Sequence, residues 1–325
     1  MANPSLTSSA LINSVKLRAM IPQNQSTFSE SDFLTFANEE LQMGLIPMIL
    51  RHHEEYFVVV EEIQLVSNKS EYSIPSRAIG NRLRDVYFRS NGGSTREMTR
   101  IDIQDIPYYE NGNAGNGGNS VYAFYIKNNK IVLVPSISNI NNGETLVISY
   151  YFRPGQIVSE TRTSTITAIN TTTGEITVSA LPKQNNQVIL SLSTKVDFIM
   201  ATTPHITLDY DILPTVVNTT TNIITFAPAD LPADLVVGDY INLAHETCVP
   251  QIPSDLHMQL AVRVGLRCLQ AMGDTESVNT EAAALKELTD NASQIVSSRV
   301  DGSPKKIVNR HATLRYGLRS KGFRY

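Results

Sequence analysis

The residue pattern of this chain changes twice, and those two changes constrain the fold more than any single motif does. Up to about residue 55, and again from about residue 253, apolar residues recur at helical spacing. Between them runs a long stretch of β-branched and aromatic strings broken by Gly, Pro and Asn. Near the N-terminus, Ser8 and Ser9 are the expected caps for a helix in which Leu11, Val15 and Ala19 recur every four residues. Ser29 opens SESD, a capping-box start with Asp in place of Glu, and Phe33, Phe36, Ala37, Leu41, Leu45, Met48 and Ile49 then follow one stripe. Pro47 inside that stripe predicts a kink or a break. Toward the other end, Ser254 is the expected cap of a helix with Leu256, Leu260, Val264 and Cys268 on one face and Gly273 closing it. A further helix, capped by Thr275, is expected to run to about Val300, with Val278, Ala282, Leu285, Leu288, Ala292 and Ile295 apolar.

The first half of the middle stretch predicts a strand from Tyr56 with Glu71–Ile74 as its short partner. Further strands are expected at Leu83–Phe88, Val121–Ile126, Lys130–Val134 and Thr145–Phe152. Asn128-Asn129 is a hairpin turn by composition, because Asn tolerates positive φ. Glu110–Ser120, rich in Gly and Asn, reads as a loop; with a strand after it rather than a helix, it lacks the context of a phosphate cradle. Residues 156–249 have turn signals every eight to twelve residues and contain a rough duplication. NTTTGEIT at Asn170–Thr177 recurs as NTTTNIIT at Asn218–Thr225, and the copies are followed by VDFIMA at Val196–Ala201 and GDYINLA at Gly238–Ala244. Duplicated hairpin-plus-strand units fit a small β-barrel or sandwich.

Because helix pairs stand at both ends, the simplest fold is α+β. A body made of residues 1–155 and 250–300 combines a helical bundle with a mixed β flank. Residues 156–249 form an inserted small β-barrel or sandwich domain, with Pro154-Gly155 and Pro250–Pro253 as the crossings, and residues 301–325 form an extended arm. Two domains in tandem are the alternative. The 325 residues and 42% hydrophobic content suffice for a buried core. No run approaches 18 apolar residues, so no transmembrane helix is expected, and the first twenty residues lack the basic-then-apolar order of a secretory leader. Cys248 and Cys268, in no CxxC pair, read as small core residues.

Catalytic signals are weak. His52-His53-Glu54-Glu55 has no HExxH order, and adjacent helical residues diverge by about 100°, so the two imidazoles do not face one ion. His205 and His257 have no other ligand near them in sequence, and His245-Glu246 with Cys248 lacks a second half of a zinc site. Asp209 and Asp211 alternate in LDYDI as paired strand carboxylates do, a pattern that solvent-facing strand residues share. GxSxG, P-loop and dinucleotide fingerprints are absent. The chain reads as a non-enzyme with no metal and no cofactor.

The end of the chain carries the most unusual chemistry. From Gly302 to Tyr325 there are seven basic side chains and no acid, although the whole protein has a net charge of −4; the remainder therefore stands at −11. Lys305, Lys306, Arg310, Arg315, Arg319, Lys321 and Arg324 are interspersed with Val308, Leu314, Tyr316, Leu318, Phe323 and Tyr325. Three readings remain open: a solvated tail, a strip that grips nucleic-acid phosphates, and a docking arm whose arginines pair with carboxylates while its apolar groups fill pockets on a partner.

Several stretches resemble one family. LTSSALINSVKLRAMIPQNQSTFSESDFLTFANEELQMGLIPMIL, HHEEYF and YSIPSRAIGNRLRDVYF look like the opening of bacteriophage head–tail adaptor (connector ring) proteins of short-tailed phages, and PSDLHMQLAVRVGLRCLQAMGDTE with RVDGSPKKIVNRHATLR resembles their C-terminal part. The similarity covers most of residues 5–110 and 250–315. It implies a structural virion protein at the head–tail junction, assembled in the host cytoplasm. It would form a homo-oligomeric ring, commonly of twelve copies, beneath the portal protein, carry further ring and tail proteins, and let double-stranded DNA pass without specific binding. It also implies that the portal-docking arm includes Lys305, Lys306, Arg310, Leu314, Arg315, Tyr316, Leu318, Arg319, Lys321, Phe323, Arg324 and Tyr325. The rival readings are a genome-end DNA-binding protein that uses the same arm, and a tail-associated glycan-binding protein; the absence of Trp weighs against the latter.

Overall fold

The computed structural model describes residues 6–24, 27–110, 123–134 and 144–296. Most of the Gly/Asn-rich loop and the whole basic arm, with all twelve of its expected docking residues, lie outside that set. The fold is mixed α+β.

The helices are α1 (Ser8–Arg18), α2 (Glu30–Glu40), α3 (Ile46–His52), the short α4 (Ile106–Glu110), α5 (His257–Met272) and α6 (Thr275–Val296). The apolar stripes of all but α4 meet in one core: Leu11 and Val15 of α1, Phe33 and Ala37 of α2, Ile49 of α3, Leu260, Val264 and Cys268 of α5, and Ala292 and Val296 of α6. Helices from the first fifty residues and from beyond residue 250 are thus packed together, and the Ser8 N–H donates to the carbonyl of Cys248 at 2.7 Å. Within α6 the expected stripe holds only in part. Ala282 is exposed, Leu285 and Leu288 are half-buried, and Val278 packs at the edge of the core.

Local chemistry explains most boundaries. Ser29 and Asp32 form the reciprocal capping box, with the Ser29 N–H donating to Asp32 Oδ2 at 2.7 Å. The regular helix is interrupted just before Pro47: the five residues before α3, Leu41–Leu45, widen into a π-turn. That widening accommodates a residue with no N–H to donate and a ring that crowds the preceding turn. Three caps differ from expectation. Thr7, not Ser8 or Ser9, caps α1, and Ser8 is buried inside the helix. Ser254 begins a short 3₁₀ turn, so α5 starts at His257 without a side-chain cap. Asp274 accepts from the Ser277 N–H at 3.1 Å, so it serves the role assigned to Thr275. Gly273 closes α5 in the left-handed conformation, φ +78°, as expected.

The strands of the first half are β1 (Val58–Gln64), β2 (Glu71–Ser73), β3 (Ala78–Arg89), β4 (Thr95–Glu97), β5 (Thr99–Arg100), β6 (Ala123–Lys127), β7 (Lys130–Val134) and β8 (Thr145–Phe152). They make two four-stranded sheets, ordered β1-β8-β3-β4 and β2-β7-β6-β5. The expected pairing of the first strand with Glu71–Ile74 is not formed: β1 lies on β8, and β2 lies on β7 in the other sheet. Every residue of β8 is buried, and the two sheets share one core containing Leu65, Tyr72, Phe88, Phe124, Ile131 and Ile148. That second layer is what draws β2 away from β1. Asn128 and Asn129 join β6 to β7 with φ of 46° and 60°, the positive pair that a tight hairpin needs.

The remaining strands are β9 (Gln156–Ile157), β10 (Thr163–Asn170), β11 (Glu175–Val178), β12 (Lys183–Gln184), β13 (Gln187–Val188), β14 (Val196–Ile199), β15 (Thr207–Ile212), β16 (Val216–Asn218), β17 (Ile223–Thr225), β18 (Tyr240–Leu243) and β19 (Glu246–Thr247). Seven of them form one sheet, ordered β15-β14-β18-β10-β11-β17-β16. The duplication is visible in it. Asn170 Oδ1 accepts from the N–H groups of Thr172 and Thr173, and Asn218 Oδ1 accepts from those of Thr220 and Thr221 in the same way. The two hairpins lie side by side through β11 and β17, and the closing strands β14 and β18 pair with each other. β10 uses Thr163–Thr165 against β18 and, past an irregularity near Thr167, its second half against β11, so the sheet bends around Ile176, Phe198, Phe226 and Ile241. No closed barrel forms among the described residues; the sheet ends at β15 and β16. The chain reaches and leaves this sheet through β9 and β19, which are parallel neighbours, and the Gly155 N–H donates to Gln251 Oε1 at 2.7 Å beside them.

Candidate functional site

The residues singled out in the sequence are, for the most part, engaged by the fold. Glu54 accepts from the Tyr151 hydroxyl and faces Arg82 at 3.6 Å, and Glu55 pairs with Arg84 at 3.0 Å. Glu246 holds Arg162 through two bonds of 3.0 and 2.5 Å. Cys248 and Cys268 are buried thiols, and burial pushes them up to about 12 and about 11 respectively. Among the described residues no group of three or more His, Cys, Asp or Glu is placed to hold a metal ion.

Three constellations were not visible in the linear order, and they adjoin one another where the first half of the chain meets the seven-stranded sheet. The first surrounds Arg77, which is 1% exposed. Its Nη2 donates to Asp197 Oδ1 at 2.7 Å and to Asp211 Oδ1 at 2.9 Å, and its guanidinium carbon lies 5.9 and 5.6 Å from the ring centres of Phe152 and Tyr210. Burial raises the Asp197 pKa, while Arg77 and the N–H groups of Asp211 and His245 pull it back toward the ionised form. Asp211 sits at φ +60°, and the pairing of β15 with β14 is irregular between Asp209 and Ile212.

The second is a pair of stacked imidazoles. His205 and His257, remote in sequence, have ring centres 5.9 Å apart and planes 24° apart, and both are buried. His257 Nδ1 accepts from the Leu6 N–H at 3.1 Å, which leaves Nε2–H to donate to the carbonyls of Pro250 and Ile252. Burial, with His205 alongside, pushes His257 down to about 4, and burial also lowers His205.

The third is a groove of about 560 Å³ between β1 and β15, each the outermost strand of its sheet. Its apolar lining includes Tyr56, Val59, Phe152, Ile206 and Leu208. Glu61 and Asp209 bring carboxylates to it. Tyr150 and Tyr210 are joined through their hydroxyls at 2.9 Å, and the Tyr210 hydroxyl donates to Glu61 at 3.4 Å. Burial raises the pKa of both acids, and neither has an Arg or Lys within ion-pair distance among the described residues. Among the described residues the groove has two strand edges, an apolar lining and two acids without a cation, features that a binding surface can use.

Comparison with known proteins adds one match. The family model described as SU10 adaptor protein matches residues 6–171, just over half of the chain, from the first helices through both four-stranded sheets to the hairpin turn after β10. The C-terminal stretch at 250–315, part of the resemblance drawn from sequence, lies outside the matched residues. Among curated proteins none matches.

Proposed function

The chain belongs to the SU10 adaptor protein family, a family of phage head–tail adaptors, and on that premise we propose that it is a subunit of the connector ring beneath the portal of a short-tailed phage. Membership makes it a structural virion component that works against other virion proteins such as portal and tail proteins. Among the described residues no helix is long and apolar enough to cross a membrane.

The carrying observation is the match over residues 6–171. In the finer reading, twelve copies close a ring that extends the DNA channel, and the helices that share one core form the bundle side of the body. Residues 156–249 are an inserted unit that offers a platform to tail components; the adjacency of β9 and β19 supports that division, because the chain leaves the body and returns to it at one place. The arm from Ser303 to Tyr325 docks on the portal. A remainder at −11 suits a channel wall, since negative charge facing a lumen repels phosphate and lets DNA slide. Assembly on an existing portal supplies multivalency, so each subunit contact can be weak.

Negative-stain microscopy of the protein alone and mixed with its portal tests the reading. Rings capping the portal are expected, and deletion of Ser303–Tyr325 should leave the fold intact while abolishing co-sedimentation with portal. A monomer indifferent to portal, or unchanged co-sedimentation of the truncated chain, would overturn it; steep salt-dependent binding to DNA of any sequence would instead point to the arm as a phosphate grip.

A further inference from the structure

We propose that the groove between β1 and β15 is a binding site for an aliphatic diamine, a diammonium ion of the polyamine class, held by Glu61 on one wall and Asp209 on the other.

The placement of the two acids is the first reason. Val59, Glu61 and Ile63 fall on one face of β1, and Val59 and Ile63 pack against the core that the two four-stranded sheets share. Glu61 is thus a half-buried carboxylate in an apolar row, and it receives the Tyr210 hydroxyl at 3.4 Å. Asp209, half-buried on the facing wall, accepts the Tyr210 N–H at 2.8 Å. The charges acting on them have their own sign: Asp211 on Glu61, and Asp230 and Asp197 on Asp209. Arg77 is taken up by Asp197 and Asp211, and no Lys or Arg lies within ion-pair distance of Glu61 or Asp209 among the described residues. Desolvated carboxylates with like-charged neighbours are costly, and a cation relieves that cost.

The groove is short of N–H donors in a second, independent way. His205, fully buried, is part of its lining. A carbonyl can only accept, so His205 Nδ1–H donates to the Met200 carbonyl at 3.2 Å, and the Nε2 lone pair is left without a partner among the described residues. The Tyr56 hydroxyl, also in the lining, is unpartnered too. An ammonium group brings three N–H donors and no acceptor, the chemistry that this set of oxygens and a ring nitrogen lacks.

The rest of the lining selects among cations. A divalent metal ion needs several ligands converging on one centre, and no three His, Cys, Asp or Glu do so among the described residues. Val59, Phe152, Ile206 and Leu208 instead offer apolar surface to a chain of methylenes, while the acids stand on the two walls to receive its two charged ends. The volume of about 560 Å³ falls within the range of small-molecule sites, ~300–1,000 Å³. Bound there, the diamine joins β1 to β15, and so bridges from outside the same junction that Arg77 ties from within.

Calorimetric titration of the full chain, without portal, tests this with putrescine, cadaverine, their shorter and longer homologues, and butylamine. One saturable site is expected. Affinity should peak at one diamine length, because the two carboxylates are fixed, and should exceed that for butylamine by about tenfold or more. Glu61→Gln and Asp209→Asn should each weaken binding by about tenfold, and urea midpoints no lower than the parent's show that the fold is kept. Glu39→Gln/Glu287→Gln removes more charge, from exposed helix positions, and should leave binding unchanged. Butylamine binding as tightly as every diamine overturns the two-acid site in favour of one that takes a single basic side chain. Unchanged affinity in Glu61→Gln or Asp209→Asn, or an equal loss in Glu39→Gln/Glu287→Gln, overturns it as unspecific attraction to an acidic protein. Because no portal is present, each of these failures leaves the connector reading standing.

Discussion

Arg77 and Asp197, 120 positions apart, meet at 2.7 Å in a buried ion pair that ties the segment between β2 and β3 to β14 of the seven-stranded sheet. Asp211 completes the set from β15, and Phe152 and Tyr210 flank the guanidinium. Removing the cation strands two carboxylates. Arg77→Met should therefore destabilise the protein by about 3–5 kcal/mol in urea denaturation near neutral pH. Arg77→Lys should cost less, because it keeps the charge and loses only the fork and the flat contact with the rings. The Met deficit should shrink as the pH falls and the stranded acids protonate; a pH-independent deficit would assign the loss to packing alone.

The stacked imidazoles predict a second pH dependence. His257 stands at about 4 in the folded chain against an ordinary 6.5, and His205 is shifted in the same direction. Below 6.5 the unfolded chain takes up protons that the folded chain refuses, so stability is full above that value and declines as the pH falls toward 4. Neighbouring Asp255 opposes the shift without reversing it. The His257 gap alone corresponds to roughly 3 kcal/mol. Denaturation at pH 7 and pH 5 captures about 2 kcal/mol of it, the rest being lost only as the pH nears 4, and His257→Gln should flatten the profile. Protonated Nδ1 would point its hydrogen at the Leu6 N–H, so the N-terminal segment should loosen first.

A buried acid also ties α2 to α5. Glu40 of α2, 7% exposed, accepts from Arg267 at 2.5 Å and from Arg263 at 3.4 Å, both on α5. Glu40→Gln should lower stability by about 1–3 kcal/mol, the range for hydrogen bonds to charged groups. High salt should narrow the difference little, because the carboxylate is shielded from solvent; equal midpoints for variant and parent would mean the pair contributes nothing net.

What the sequence disclosed was local. The stripes through Leu11 and Val15, Phe33 and Ala37, and Leu260 and Val264 are set by helical period, and the Asn128-Asn129 turn by the conformational preference of Asn, so both could be read from neighbours in the chain. Pairing β2 with β1 failed because two layers compete for β2, and no nearby residue reports the second layer. Arg77 in SIPSRAIG, or His205 among TTPH, carries no local mark, since its partners arrive from 120 and 52 positions away and only the junction assembles them. The groove was hidden for the same reason: its walls are two strand edges, and which strands end a sheet is a property of topology rather than of spacing.

The duplication yields the sharpest test, because its two copies differ at one informative position. Gly174 and Asn222 occupy matching places after NTTT, and both are left-handed, at φ +74° and +54°. Backbone conformation alone would admit Asn at either. At Gly174, however, an added Cβ would stand 2.1 Å from the Phe226 carbonyl oxygen, which is backbone and cannot step aside as a side chain does. The same turn receives the Phe226 N–H on the Gly174 carbonyl at 2.9 Å, so yielding would also break the link between the two copies. Gly174→Asn should cost roughly 2–4 kcal/mol, whereas Asn222→Gly should change stability by less than about 1 kcal/mol. Thermal or urea unfolding of the two variants measures this: a Gly174→Asn loss below about 1 kcal/mol, no larger than that of Asn222→Gly, would show that the close approach of the second copy does not demand glycine at residue 174.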